Sequence, residues 1–297
     1  GVEGGGERGL GARARGDRWC VKAVAPSAPR ASSRRVGLRS ACALGYTPGM
    51  DRTRGLAIVE IAGRDSVAAA VAAVRERGFR ELLPTIAFTG TETGDREAPK
   101  RAVAALEQLL AGVARVHEPV ALSDPALWSA MNARPAAEIQ RRFGVYSPCL
   151  ACHLYLHLLR APLAWSHHDA PVIAGERDTH DGRVKLSQTP ESIDAAIRVL
   201  GSAGVELLQP VRALGGEDIA ALAGDDWDER IGHLGCQLSG NYVCFDGTVS
   251  YDEAGYTRYL AEFYEPVGRA VLDAWRAERE GAPATDFNAV VRSVLAG

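Results

Sequence analysis

From Leu56 onward the chain alternates between short apolar runs and longer stretches whose apolar residues recur every three or four positions. LAIVEIAG predicts a buried strand, and DSVAAAVAAVRERG a helix capped by Asp65 or Ser66 and closed by Gly78. ELLPTIAFTGTETGD supplies a second strand and a turn-rich loop. A helix is expected over roughly 97–115, a short strand over 116–122, and further helices within 124–143 and 148–160. PVIAG (171–175) reads as a strand, TPESIDAAIRVLGSAG as a helix and VELLQPV as a strand, with helix throughout from about Tyr256. This alternation implies an α/β fold: a parallel sheet with helices on both faces and a helical C-terminal extension.

The first 49 residues lack this patterning. They are rich in Gly, Arg, Ala and Ser and carry nine Lys/Arg against three Asp/Glu. Such a segment buries too little apolar surface to offset its ordering entropy, so 1–49 is expected to be a disordered tail or an over-extended start before Met50. A basic tail touching nucleic acid is the alternative. Ser33-Arg34-Arg35 faintly suggests a twin-arginine signal, but Arg39 interrupts the apolar region that should follow. The expected organisation is an α/β domain over 50–225 and a cysteine-containing, helical extension over 226–297.

Composition narrows the class. With 46% hydrophobic and 24% charged residues among 297, the chain can build a sizeable core. No apolar run approaches the ~20 residues that span a bilayer, so no membrane partner is expected. Six scattered cysteines suit reduced thiols in the cytoplasm better than a disulfide scaffold. The basic tail leaves the main body acidic, which advertises no nucleic-acid partner by charge alone.

Glu60-Ile61-Ala62-Gly63-Arg64-Asp65-Ser66 sits where a strand becomes a helix. Small residues at 62 and 63 allow close approach to the backbone, and the free N–H groups of a helix start suit an anion. A tight strand–helix turn with an N-cap fits the same letters. The stretch resembles the SGGxDS loop of PP-loop ATP pyrophosphatases, the adenine nucleotide alpha hydrolases of Rossmann-like fold. Gly63, Arg64, Asp65 and Ser66 match its last four positions, while Ile61 and Ala62 depart from the first two. PTIAFTGTETGD takes the place of the second-strand motif. VIAGERDTHDG stands where TGHxxDD is usual, with Glu176 replacing the His and His180-Asp181 one residue late. VELLQPVRALGG resembles the "RPL" segment, with Gln209 in place of the Arg. The likeness covers roughly residues 55–225.

The resemblance implies that ATP and its pyrophosphate are held by Ala62, Gly63, Arg64, Ser66, Gly175, Glu176, Arg177, His180 and Asp181. The backbone of Ile86, Ala87 and Phe88 would hold the adenine, and Asp65 with Asp181 would engage Mg²⁺. It further implies adenylation of a carbonyl or carboxyl oxygen with release of pyrophosphate, followed by sulfur transfer to a tRNA base or a small metabolite. A sulfur donor protein is a possible partner. The alternatives are nitrogen transfer and an ATP-binding sensor of the universal-stress type that does not turn ATP over.

YSPCLACHLYLH adds thiol chemistry. Ser147 and Pro148 suit a helix start, which places Cys149, Cys152 and His153 on one face and is expected to lower the thiol pKa values. CLACH formally fits haem attachment, but that normally requires export, and Met131 is the only candidate axial methionine in the main body. Cys149, Cys152 and Cys236 resemble the cluster ligands of some PP-loop tRNA thiolases; with Cys244 they form a candidate set for an iron–sulfur cluster or zinc. A persulfide-carrying or nucleophilic cysteine and a helix that merely buries thiols stay open beside this. His157 is expected to be a core histidine, and His167-His168-Asp169 a solvated loop.

Overall fold

The computed structural model describes residues 22–23, 55–180, 183–224, 227 and 231–297. Met50, Asp181 and the expected tail, apart from the strand Lys22–Ala23, lie outside them. The strands are β1 (Lys22–Ala23), β2 (Leu56–Glu60), β3 (Glu81–Ala87), β4 (Glu92–Thr93), β5 (Arg115–Val116), β6 (Val120–Leu122), β7 (Val172–Ile173), β8 (Leu207–Leu208) and β9 (Gly235–Cys236). The helices are α1 (Arg64–Arg77), α2 (Ala98–Leu109), α3 (Pro125–Trp128), α4 (Ala136–Phe143), α5 (Pro148–Leu158), α6 (Ala161–Ser166), α7 (Pro190–Ser202), α8 (Gly216–Ala223), α9 (Glu253–Tyr259), α10 (Glu265–Arg279) and α11 (Phe287–Ala296).

The main sheet runs β1-β6-β3-β2-β7-β8, with β5 also on β3. Every pairing in it is parallel except the antiparallel edge of β1 on β6. β5 and β6 pair with successive parts of β3, so they act as one strand interrupted at 117–119, where Pro119 cannot donate to a ladder. The expected unbroken strand over 116–122 is corrected accordingly. A separate ribbon joins β4 to β9.

Side-chain alternation along β2 divides the core. Ile58 faces a cluster built from α5, α7 and the C-terminal helices. Ala57 and Val59 face a second cluster with α1, α2 and α8. Both faces of the sheet are thus covered, and α9, α10 and α11 share their core with β2, α5 and α7.

Several boundaries differ from those expected. Helix α1 begins one residue earlier, with Gly63 as its cap; Ser66 reaches back to Gly63 instead of capping the helix itself. Helix α2 ends at Leu109 rather than near 115. The helical stretches after α3 and α9 pass through π-turns at Ser129–Ala133 and Leu260–Tyr264. In each case a proline, Pro135 or Pro266, follows and lacks the N–H for the ordinary ladder, so the chain bonds five residues back instead. A break between α10 and α11 interrupts the helix expected throughout from Tyr256. Among the described residues no helix is long and apolar enough to cross a membrane.

Candidate active site

From β2 the chain winds outward to β3 and β5/β6, then crosses back to β7 and β8 on the other side. The carboxyl ends of β2 and β7 are therefore the point where strand order reverses, the place where open parallel sheets leave a crevice for ligands. The loop Ile61–Gly63 and the start of α1 lie at this point. Here Ser66 Oγ accepts from the N–H groups of Ala62 (3.0 Å) and Gly63 (3.1 Å) and donates to the Gly63 carbonyl (2.6 Å). The hydroxyl is buried within the turn and fixes its shape. Gly175 abuts the same turn: a Cβ there would lie 2.5 Å from the Ser66 nitrogen and 2.6 Å from the Asp65 carbonyl carbon. Only a residue without a side chain lets the end of β7 approach the loop this closely.

Alternation past β7 then sends consecutive side chains to opposite faces. Ala174 belongs to the α5 side, and Glu176 turns the same way. Arg177 turns toward α1, where its Nε donates to Asp65 Oδ2 at 2.8 Å. Arg64 Nε also lies 3.6 Å from Asp65. His180 is buried beside them, and neither ring nitrogen has a hydrogen-bond partner among the described residues. Burial, then the neighbouring Lys185 and Arg177, push its pKa down to about 4. Loss of water also holds the Lys185 ammonium below its ordinary range, which Asp65 only partly offsets. Three cations thus crowd one carboxylate. Asp65, expected to help hold Mg²⁺, is paired with the Arg177 guanidinium and has that of Arg64 nearby.

On the α5 side a buried charge network replaces what the motif suggested. His157 is a core histidine, as expected, with its Nδ1 2.9 Å from Glu60 Oε1 and its Nε2 3.3 Å from Glu176 Oε2. His153 Nδ1 approaches Glu176 Oε1 at 2.5 Å, and Gln209 Nε2 lies 3.4 Å from Glu176 Oε2. Arg160 donates to Thr85 Oγ1 at 2.9 Å and lies 3.7 Å from Glu60. Burial alone would lower the His157 pKa, but the two carboxylates outweigh it and raise the group to about 10. Burial would likewise raise Glu60 and Glu176, yet His157 and its neighbours hold both below the usual carboxylate range. Glu176 is therefore an internal acid that grips two histidines. Glu60, His153, Arg160 and Lys185 were not singled out as site residues. Their signal was the acid ending an apolar strand and the His pair at i, i+4 on an apolar helix.

Beside the loop opens a cleft with about 940 Å³ of empty space, part of it continuous with solvent. Ile61, Ala62, Ile86 and Ala87 line it, together with Trp128, His153 and the thiols of Cys149, Cys152 and Cys236. Phe88, expected to help hold adenine, has both peptide groups engaged: its N–H with the Leu122 carbonyl, its C=O with Tyr155 and Ser123 hydroxyls. Burial pushes the Cys149 and Cys152 thiols up, Cys152 to about 12, which corrects the lowering expected for these two from the helix start. Each sulfur has its own partner. Cys149 donates to the Leu238 carbonyl (3.6 Å), Cys152 accepts from Trp128 Nε1 (3.4 Å), and Cys236 accepts from the Leu238 N–H (3.4 Å). Cys244 does not line the cleft; it is exposed near the bridge Val243–Val249. Among the described residues no three His, Cys, Asp or Glu side chains are gathered to hold a metal ion. Cys149, Cys152 and Cys236, expected with Cys244 to hold a cluster or zinc, share the cleft without being gathered into such a group as placed, and Cys244 stands apart from them.

No protein-family model matches the chain. It is 34% identical over 225 residues to "Uncharacterized protein MJ0009" of Methanocaldococcus jannaschii, a match that covers 74% of this chain and 81% of that one. The chain belongs to that protein's family. Two solved structures also align with this family member. One is a 4-thiouridine synthetase in complex with RNA and bound ATP, at a TM-score of 0.44 and 14% identity; the match covers 82% of this chain but only 54% of that one, about half its length. The other is the U34-tRNA thiolase NcsA from Methanococcus maripaludis with its 4Fe–4S cluster, at a TM-score of 0.36 and 12% identity over 83% of this chain and 73% of that one.

Proposed function

We propose that this protein is an ATP pyrophosphatase that adenylates a carbonyl or carboxyl oxygen and then transfers sulfur to the activated carbon. One observation carries the proposal: at the switch point of a parallel sheet, Arg64, Arg177, Lys185 and the unpartnered His180 crowd around the start of α1, next to a cleft holding three thiols. An excess of positive charge with an orphaned buried imidazole suits a polyanion that brings its own acceptors. The acceptor oxygen bonds to the α-phosphorus as the bond to the β-phosphate oxygen breaks, and pyrophosphate departs with the negative charge. Arg64, Arg177 and Lys185 neutralise that charge. Ser66 shapes the loop from within, and Gly175 keeps β7 close enough for Arg177 to reach. A sulfur nucleophile from the cleft then displaces AMP. A tRNA base is the acceptor class the resemblance favours, and a small metabolite is its rival.

The test is pyrophosphate release from ATP and Mg²⁺ with unmodified tRNA and a panel of small carbonyl acceptors. Release that depends on an acceptor and falls at least about tenfold in Arg177→Ala supports the proposal. ATP bound without turnover across the whole panel would identify a sensor instead.

A further inference from the structure

One side chain of the cleft is arranged to take a proton. His153 on α5 lines the cleft and is partly exposed. Its Nδ1 is turned inward to Glu176 Oε1 at 2.5 Å, so the ring nitrogen left for a molecule in the cleft is Nε2. Burial would neutralise Glu176, but His157 and His153 outweigh it, so the acid stays ionised and can only accept. The Nδ1 hydrogen is thereby fixed toward Glu176, and Nε2 of the neutral ring keeps a bare lone pair. Among the described residues no group hydrogen-bonds to that nitrogen. The other cleft groups are poor bases. Burial would push the Glu92 carboxyl up, but its bonds from the Thr89 N–H and hydroxyl and the Gly90 N–H hold it below the usual range. Glu60 is gripped by His157 and Arg160, and burial keeps the protons on Cys149 and Cys152. Walls formed by Ile61, Ile86, Trp128, Leu156 and Leu234 suit an uncharged molecule.

Resting on the adenylation proposal, we infer that His153 is the proton acceptor of the cleft, with Glu176 as its positioning residue, and that the substrate it serves is a neutral lactam with an N–H beside the reacting carbonyl. A carboxylate brings its own charge and needs no base. A lactam oxygen becomes strongly nucleophilic only as the neighbouring proton leaves. The N–H bond breaks toward His153 Nε2, and its electron pair forms C=N. The carbonyl π pair becomes the new bond from oxygen to the α-phosphorus. The bond to the β-phosphate oxygen breaks, and pyrophosphate carries that pair away. The proton ends on Nε2, where Glu176 compensates the imidazolium, and nothing is oxidised or reduced.

Long-range nitrogen–proton NMR on the histidine-labelled full chain reads the tautomer without any substrate, the signal being assigned by its loss in His153→Gln. Nδ1–H with an unprotonated Nε2 is expected in the neutral ring; Nε2–H overturns the inference. Uridine, a free lactam, should shift the His153 Nε2 resonance, and N-methylated uridine, which lacks the N–H, should not. Equal shifts, or none, overturn it. With whichever lactam supports pyrophosphate release, His153→Gln should lower kcat at least about a hundredfold while KM for ATP moves less than about threefold. Free imidazole should restore part of the rate in His153→Ala, which a merely structural role would not allow. A smaller fall in kcat, or release with carboxylates and not with lactams, defeats this inference alone. The uridine shift without release from any acceptor supports lactam recognition at His153 and defeats the adenylation proposal alone.

Discussion

Gly175 sets the geometry of the crevice more directly than any charged residue. Ala at this position places a methyl group 2.5 Å from the Ser66 nitrogen, against backbone that cannot swing aside. Gly175→Ala should cost about 1–3 kcal/mol by overpacking. Because the displaced backbone carries Asp65 and the turn fixed by Ser66, ATP affinity should fall as well. Urea denaturation and calorimetric ATP titration measure the two effects; a variant with both values unchanged would show that the loop yields freely. The next two residues make the same point through direction. Glu176 and Arg177 are neighbours in sequence, yet one grips His153 and His157 and the other grips Asp65. A motif comparison treats them alike as ligand groups, while strand alternation separates their tasks.

Among the elements, α9 and α4 are packed backbone to backbone. A Cβ at Gly255 would fall 1.8 Å from the Phe143 carbonyl oxygen and 2.8 Å from Asp252 Oδ2. Gly255→Ala should therefore separate the two helices, costing about 1–3 kcal/mol and loosening hydrogen-exchange protection in both. Gly78→Ala is the contrasting case: nothing lies within 4 Å, but φ is +72°, so about 1–2 kcal/mol should be lost through backbone strain at the end of α1 alone. Protection that spreads equally in the two variants would contradict this distinction. The same elements mark how far the sequence could be read. β2 and α1 were legible because an unbroken apolar run and a small-residue helix closed by Gly78 carry their own signals. The β4–β9 ribbon was not, since each strand has two residues and finds its partner more than 140 positions away. The site followed the same rule. The loop at 61–66 was visible locally, and so was the Cys149–Cys152 pair. That Cys236 would join them was suggested by the resemblance alone; that Cys244 would stay away from the cleft and that Glu60 would meet His157 across 97 positions were fixed only by long-range packing.

For the molecule as a whole, the buried network should write its charge states into the pH dependence of stability. His157 titrates near 10 in the folded protein against an ordinary 6.5, because Glu60 and Glu176 outweigh the effect of burial. A raised pKa means that the folded state retains a proton the unfolded chain releases. Its contribution is fully present below about pH 6.5, shrinks as pH rises, and is lost on passing about 10. Glu60 and Glu176 have the opposite sign. Their folded values lie below the ordinary 4.5, so their contribution is present above that pH and lost as the solution is acidified through the depressed folded values. Stability should therefore peak between about pH 5 and 6.5 and decline on both sides. His157→Gln removes the shared cation and leaves two buried carboxylates with less compensation; it should cost about 3–5 kcal/mol at pH 6 and flatten the alkaline limb. Urea midpoints measured from pH 4 to 10 on both proteins test this, and an alkaline limb of the same slope in His157→Gln would assign the decline to other groups.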